Sequence, residues 1–496
     1  MQANPVNSKP IRRLVIVGGG TAGWLTAAML SAHLPRDACR ITLIESAELG
    51  VIGVGESTIP PFLGLLRKLG INEKAFIEQT DGCYKLGIRF RHWGASNHEY
   101  FHPFGALGQS LDQHDFYQCW LRANQLGDSS ALMAHSPCAA LAEAGRFYSP
   151  ATGGGIGASY ALHMDATMSA QYFRRYACER GVERIEGKVV SASRQDNGHI
   201  KAVQLDNGIA VSGDFFIDCT GFAARLIEGE LGVGYRDWSA ILPCDRSVSV
   251  KTEAVRPYKP FTEASASKMG WLWRIPLKNS TGFGHVYSSR HSSDADAKSV
   301  LFRHLDAKRI TDPQFIVFKP GHRRVFWQHN CLSVGLAAGF IEPLESTSIH
   351  LIARGIEYFL RYFPTADCDP VLSSEYNRRM QADFEEIRDF VLLHYCTSQR
   401  RDSPFWRDCA SKALPESLAQ RIALFKAQGV LRAGVDDLFR ATSWYSIFEG
   451  MGIRPRQYHP RVDDIAEPRL LDALSTHRHA IRALVASATA VDDVSV

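Results

Sequence analysis

Residues 12–23 read RRLVIVGGGTAG, an apolar run from Leu14 to Val17 that stops abruptly in Gly18-Gly19-Gly20-Thr21-Ala22-Gly23. Trp24 to His33 follow with helical spacing and small residues suited to close packing, and Arg40-Ile41-Thr42-Leu43-Ile44-Glu45 reads as a second buried strand closing on an acid. Strand, glycine turn, helix and strand make one βαβ unit, which sets the fold class as α/β. In the GxGxxG pattern, Gly18 makes the tight turn, Gly20 lets backbone approach a pyrophosphate, and Gly23 lets the helix pack close to the strand. The helix N-terminus, with Thr21 and Ala22 in its first turn, then faces the phosphates. Glu45, 22 positions after Gly23, is placed to hydrogen-bond a ribose hydroxyl of an adenosine half. A lone glycine motif is weak, but strand, helix and acid in their places make this a dinucleotide site.

The rest of the chain sets bounds. Its 496 residues are too many for one simple core and suggest two to four structural units. A net charge of +4 is small for this length, so neither a nucleic-acid surface nor a membrane-attracting face is indicated, and basic clusters such as His322-Arg323-Arg324 read as solvated. The eleven cysteines are scattered without a CxxC pair or a Cys/His spacing suited to zinc, so no metal is expected. The first residues lack the apolar core of a signal peptide and no run approaches the roughly 18 apolar residues of a membrane span, which predicts a cytoplasmic protein.

Along the chain, the pattern predicts a helical segment over 60–80, an irregular cavity-lining segment over 84–149, and a helix over 165–181. Strand-like runs at 186–195 and 199–205 flank Asn197-Gly198, a hairpin turn signal. Asp214 to Gly221 reads as a buried strand ending in glycine, and strand-like segments dominate 245–335. From 346 onward the pattern is mainly helical, with breaks near 403–415 and 450–462 and a frayed last ten residues.

Two further segments favour FAD over NAD. Ile217-Asp218-Cys219-Thr220-Gly221 resembles the late strand-and-glycine segment of FAD proteins, and Ser333-Val334-Gly335-Leu336-Ala337-Ala338-Gly339 resembles the segment that seats the ribityl chain and isoalloxazine. Gly221 and Gly335 join the cofactor candidates on that ground.

The sequence resembles the flavin-dependent halogenase family, the group that includes the tryptophan halogenases. The most specific match is WxWxIP at Trp271, Trp273, Ile275 and Pro276. Beside it stand the glycine motif, a lysine in Tyr84-Lys85-Leu86-Gly87-Ile88-Arg89-Phe90, and Pro343-Leu344-Glu345-Ser346-Thr347, which resembles the family's catalytic glutamate segment. The resemblance covers at least 12–350. It implies a flavin-monooxygenase-like fold with mixed sheets: an FAD-binding module over 1–364, with interleaved substrate-facing segments at about 84–150 and 235–300, and a mainly helical region over 365–496 that completes the substrate pocket. It further implies that reduced FAD, supplied by a separate reductase, yields hypohalous acid from O2 and chloride or bromide, and that this oxidant crosses to a second pocket to halogenate an electron-rich arene.

The same resemblance implies roles for residues. Lys85 would meet the oxidant, by hydrogen bonding or as a haloamine, and Glu345 would orient it or take the ring proton of the cationic intermediate. Backbone N–H groups of Thr347 and Ser348, at the start of a helix, would hold the halide; some relatives carry glycine at the second position. Trp271 and Trp273 would sit beside the flavin as bulk that moves little, with Pro276 stiffening the exit.

Tryptophan-specific members sandwich the indole between aromatic and His side chains and anchor its amino-acid end from the C-terminal helices. Here His102 and Phe104 would supply one side, Phe439 the other, and Tyr445 is retained, but where an anchoring glutamate is sought the chain reads Ala433-Gly434-Val435. A simple indole or another arene therefore fits better than free tryptophan. An FAD-dependent aromatic hydroxylase is the alternative, yet the Asp-Gly segment that such single-component enzymes carry is missing from Ser159 to Ala166. A non-catalytic flavin protein would have lost Lys85 or Glu345. A homodimer is the prior for oligomeric state, on general frequency alone.

Overall fold

The computed structural model describes residues 9–46, 53, 55–95, 98–148, 157–432, 434 and 436–494. Ala433 and Val435, two of the three positions singled out for the missing anchor, lie outside them.

Leu14, Val15, Ile16 and Val17 are all buried, as expected of a strand covered on both faces. Arg13–Val17 lies inside a six-stranded sheet ordered Trp327–Gln328, Cys331–Ser333, Phe215–Asp218, Arg13–Val17, Arg40–Glu45, Glu183–Glu186. Only the first pair is antiparallel. Val17 is in register with Asp218 and Ile44, so the carboxyl ends of neighbouring strands meet at one edge, where ligands of open parallel sheets bind. The helix Thr21–His33 packs on Ala166–Glu179 and on Ser348–Arg361.

A seven-stranded sheet carries the WLWRIP segment. Its order is Gln314–Val317, Arg246–Glu253, Ser280–Tyr287, Gly270–Pro276, Thr262–Ala266, Gly87–Arg91, Glu99–Pro103. Trp273 lies opposite Gly284, and a Cβ on that glycine would come within 2.2 Å of the indole. The missing side chain makes the room for the ring. A separate three-stranded sheet is ordered Glu56–Ser57, Ala161–Met164, Cys83–Lys85, with Lys85 opposite Ala161 and Ser57 opposite His163.

Several expectations need correction. The segment 84–149 is regular where described: it holds Gly87–Arg91, Glu99–Pro103 and the helices Phe116–Gln125 and Pro137–Glu143. Its first strand pairs in parallel with Thr262–Ala266, a partner no local pattern reveals. The region 60–80 is two helices, Pro61–Lys68 and Glu73–Gln79, the second capped by the Asn72 side chain. The strand-rich stretch 245–335 contains the helix Asp294–Arg303, opened by a Ser293 cap on the Asp296 N–H. The chain end is not frayed through Val494: Thr489–Ala490 pairs with Arg146–Phe147, and Val491 is buried.

The hairpin at Asn197-Gly198 forms as expected, joining Val189–Arg194 to Ile200–Leu205. The C-terminal region is mainly helical, led by Pro370–Cys396, a helix of 27 residues. The largest buried apolar cluster draws on residues from Ile11 to Val491, so the sheets and the C-terminal helices share one core. Among the described residues no helix is long and apolar enough to cross a membrane.

Candidate active site

At the carboxyl ends of the parallel strands lies a cavity of about 760 Å³. Gly18, Gly20, Thr21, Ala22, Glu45, Gly221 and Gly335 all line it. A Cβ at Gly23 would fall 1.8 Å from the Gly18 carbonyl oxygen, whereas one at Gly20 would meet nothing within 4 Å. Gly23 thus permits the helix to close on the turn, and Gly20 leaves backbone open to the cavity. Gly20 caps the helix Thr21–His33 without a side-chain hydrogen bond, so the helix N-terminus faces the space where an anionic pyrophosphate fits. Glu45 Oε2 accepts from Trp24 Nε1 at 3.0 Å, and Oε1 is paired with Arg174 at 3.3 Å and with Arg184. These residues fit an FAD.

The tryptophan pair is divided by the cavity wall. Trp273 and Ile275 line it. Trp271 is buried one layer back, where its Nε1 donates to Glu342 Oε2 at 2.6 Å and its ring lies 6.5 Å from that of Trp93. Burial pushes the Glu342 carboxyl up to about 7, against the pull of hydrogen bonds from Tyr395, Trp271 and Cys244. The Pro276 carbonyl accepts from the Cys83 thiol at 3.0 Å.

At the far end of the cavity, Ser346 adopts a left-handed conformation, φ 60°, that turns the chain out of Pro343–Glu345 and into the helix Ser348–Arg361. Thr347 is that helix's N-cap, and no side chain caps its first turn. Ser348 lines the cavity while Thr347 is buried behind it.

Lys85 and Glu345 are both buried, at 0% and 1% exposure. Lys85 Nζ donates to the Thr58 carbonyl at 3.1 Å and to Ser346 Oγ at 3.0 Å, and lies 5.0 Å from the centre of the Phe104 ring. Burial lowers its pKa from 10.5 to about 7, an effect the Glu345 charge opposes. Glu345 has a histidine on each oxygen: His102 Nδ1 at 2.8 Å from Oε2 and His394 Nε2 at 3.0 Å from Oε1. Burial disfavours the carboxylate, but the two imidazoles outweigh it and bring the pKa down to about 2. Tyr100 OH stands 2.6 Å from His394 Nδ1. Burial keeps His394 below its ordinary value, so the neutral ring accepts from Tyr100 and donates to Glu345. The result is an ionised carboxylate held in the interior beside a readily neutralised amine.

A second cavity, of about 530 Å³, is lined by Thr58, Phe62, Leu65, Ile349, Ala353 and Leu438 among others. Thr58 belongs to this cavity and Ser346 to the larger one. Lys85, Glu345, His102, Phe104 and Phe439 line neither cavity.

The tryptophan halogenase family model matches residues 13–467. The chain belongs to the tryptophan halogenase family. Tryptophan 6-halogenase SttH of Streptomyces toxytricini is 31% identical over 452 residues, 85% of each chain. Among solved structures, Xcc4156, a flavin-dependent halogenase from Xanthomonas campestris, is 42% identical with a TM-score of 0.95 over 98% of both chains. BrvH, a flavin-dependent halogenase from Brevundimonas sp. BAL3, is 39% identical with a TM-score of 0.93, over 97% of this chain and 98% of its own. The protein is a flavin-dependent halogenase, with the mixed α/β architecture of that enzyme class.

For this halogenase the expected aromatic sandwich is only partly assembled. His102 joins Glu345, and Phe104 joins Lys85, but Phe439 is stacked on Phe390 at 3.7 Å and lies 6.3 Å from His102 with the rings tilted by 46°. An arene between parallel faces needs about twice a stacking contact of roughly 3.5–4.0 Å, more than the present His102–Phe439 spacing. Tyr445 is stacked on Tyr117 at 4.2 Å, its hydroxyl 3.4 Å from the Gly429 carbonyl; it lines neither cavity. The sequence reading missed His394, Tyr100, Thr58 and the part played by Ser346. Tyr100 and His394 lie 294 positions apart, and nothing local marks either.

Proposed function

We propose that the protein halogenates an electron-rich arene such as an indole, using hypohalous acid made from O2 and chloride or bromide, with Lys85 and Glu345 as its catalytic residues. The observation that supports this reading is the buried cluster in which Lys85, bonded to Ser346 Oγ and the Thr58 carbonyl, accompanies a Glu345 held by His102 and His394. Reduced FAD, delivered by a separate reductase, supplies the reducing equivalents that turn O2 and halide into that oxidant. Gly18 to Gly23, Glu45, Gly221 and Gly335 would hold the cofactor, and the N–H groups of Thr347 and Ser348 would hold the halide.

A neutral Lys85 has two N–H bonds, and Thr58 and Ser346 are two acceptors. The lone pair is left free to take the halogen: the N–X bond forms, the O–X bond breaks, and an amine proton leaves with hydroxide as water. The arene then attacks X, the N–X bond breaks, and Glu345 takes the ring proton for return to the nitrogen. The sum is arene plus hypohalous acid giving aryl halide plus water. A carboxylate held ionised by His102 and His394 suits that proton transfer and stabilises the cationic ring beside it.

The test supplies the purified protein with FAD, a reductase, O2 and either halide, and screens indoles and other arenes by isotope pattern. The proposal expects a halide-dependent mass shift with an indole. Single-oxygen addition without halide would replace it with the hydroxylase reading.

A further inference from the structure

A buried line of hydroxyl groups leads from Lys85 through Ser346. Lys85 Nζ donates to Ser346 Oγ at 3.0 Å, and Ser346 Oγ donates to Ser57 Oγ at 3.1 Å. Ser57 Oγ lies 3.0 Å from Thr262 Oγ1, which lies 2.9 Å from His163 Nε2. On the other side of the ring, His163 Nδ1 is 3.6 Å from Cys83 Sγ, whose thiol donates to the Pro276 carbonyl at 3.0 Å. All of these side chains are buried. Ser57, Thr262 and Ser346 also line the larger cavity.

The polarity of this line is set at its histidine end. The Cys83 thiol donates to the Pro276 carbonyl, which leaves the sulfur as an acceptor for His163 and favours the imidazole proton on Nδ1. Burial and the nearby Lys85 keep His163 well below its ordinary pKa, so the ring is neutral and Nε2 is bare. Thr262 then donates to Nε2, Ser57 donates to Thr262, and Ser346 donates to Ser57. With its one proton spent, Ser346 can only accept from Lys85. Reversal has a definite consequence. Were Nε2 to carry the proton, Thr262 would donate to Ser57, Ser57 to Ser346, and Ser346 to the Lys85 nitrogen, covering the lone pair.

We propose that His163 is a positioning residue for halogenation, acting on Lys85 through Thr262, Ser57 and Ser346 so that the amine keeps its lone pair uncovered. This rests on the reading of Lys85 as the reacting amine. The first test is 15N NMR of the histidine-labelled enzyme, with His163→Gln for assignment. The expected result is an unprotonated Nε2 and a protonated Nδ1; a protonated Nε2 would overturn the proposal. The second test is kinetic. His163→Leu is expected to lower kcat about tenfold while leaving the KM for the arene and the affinity for FAD unchanged. His163→Gln, whose amide oxygen can accept from Thr262, is expected to regain most of that loss. Thr262→Val cuts the line while keeping the imidazole in place and is expected to match His163→Leu in kcat, which covers the case in which that variant does not fold. Wild-type kcat in either Thr262→Val or a folded His163→Leu would overturn the proposal. Product formation by Lys85→Ala would instead remove the underlying reading of Lys85, and the NMR result would still report on the hydroxyl line.

Discussion

Lys85→Met removes a titrating group whose proton affinity changes strongly on folding. Burial takes Lys85 from 10.5 to about 7, and at about 1.36 kcal/mol per pH unit this makes the buried ammonium costlier than the exposed one by roughly 5 kcal/mol. The folded-state value is the lower one. Between pH 7 and 10.5 the unfolded chain therefore holds a proton that the folded chain lacks, and this residue's contribution to stability rises with pH across the window. Its slope approaches about 1.4 kcal/mol per pH unit. Urea unfolding of wild type and Lys85→Met at pH 7.5 and 9.5 isolates the effect, because the other groups titrate alike in both. The stability of wild type relative to the variant should rise by roughly 2 kcal/mol between the two pH values. A constant difference would mean that Lys85 keeps an ordinary pKa, and the argument for a neutral, reactive amine would fail. In turnover the same titration predicts a rate that rises about tenfold from pH 6 to pH 8 as the amine loses its proton. Glu345, held at about 2, adds no step in that range.

Glu345→Gln should lower the halogenation rate by about 10² to 10⁴ with unchanged products, as expected for loss of positioned proton transfer; turnover at the wild-type rate would take Glu345 out of the mechanism. Gly23→Ala should abolish FAD binding measured by fluorescence quenching, since the added Cβ would sit 1.8 Å from the Gly18 carbonyl oxygen. Trp271→Phe should cost about 1–3 kcal/mol of stability, because Glu342 loses the indole donor in a buried site, without changing FAD affinity. Trp273→Ala, on the cavity wall, should weaken FAD binding, and equal FAD affinities in the two tryptophan variants would contradict the division between them.

The sequence revealed most where structure is set by neighbours along the chain. RRLVIVGGGTAG carries its own strand, turn and helix, and Asn197-Gly198 its own hairpin. The strand Gly87–Arg91 was hidden because its parallel partner Thr262–Ala266 lies far along the chain, where periodicity says nothing. The helix Asp294–Arg303 was legible but overlooked: Ser293 and Asp296 have the spacing of a capping signal. The same distinction governs the site. Lys85 and Glu345 stand in recognisable segments, whereas the two histidines that clamp Glu345 come from a strand and a long helix. His394 is the one histidine of that helix, and nothing in the sequence around it marks a site. The placement of Phe439 on Phe390 depends on the packing of the C-terminal helices, which no motif records.

The mechanism turns on the proposed role of Lys85 in delivering halogen to the arene. Its most direct measurement follows product formation and FAD affinity together in wild type and Lys85→Ala, with reductase, O2, bromide and an indole supplied. The prediction is a brominated product from wild type, none from the variant, and the same FAD dissociation constant for both. Equal yields of the same brominated isomer from the two proteins would contradict it.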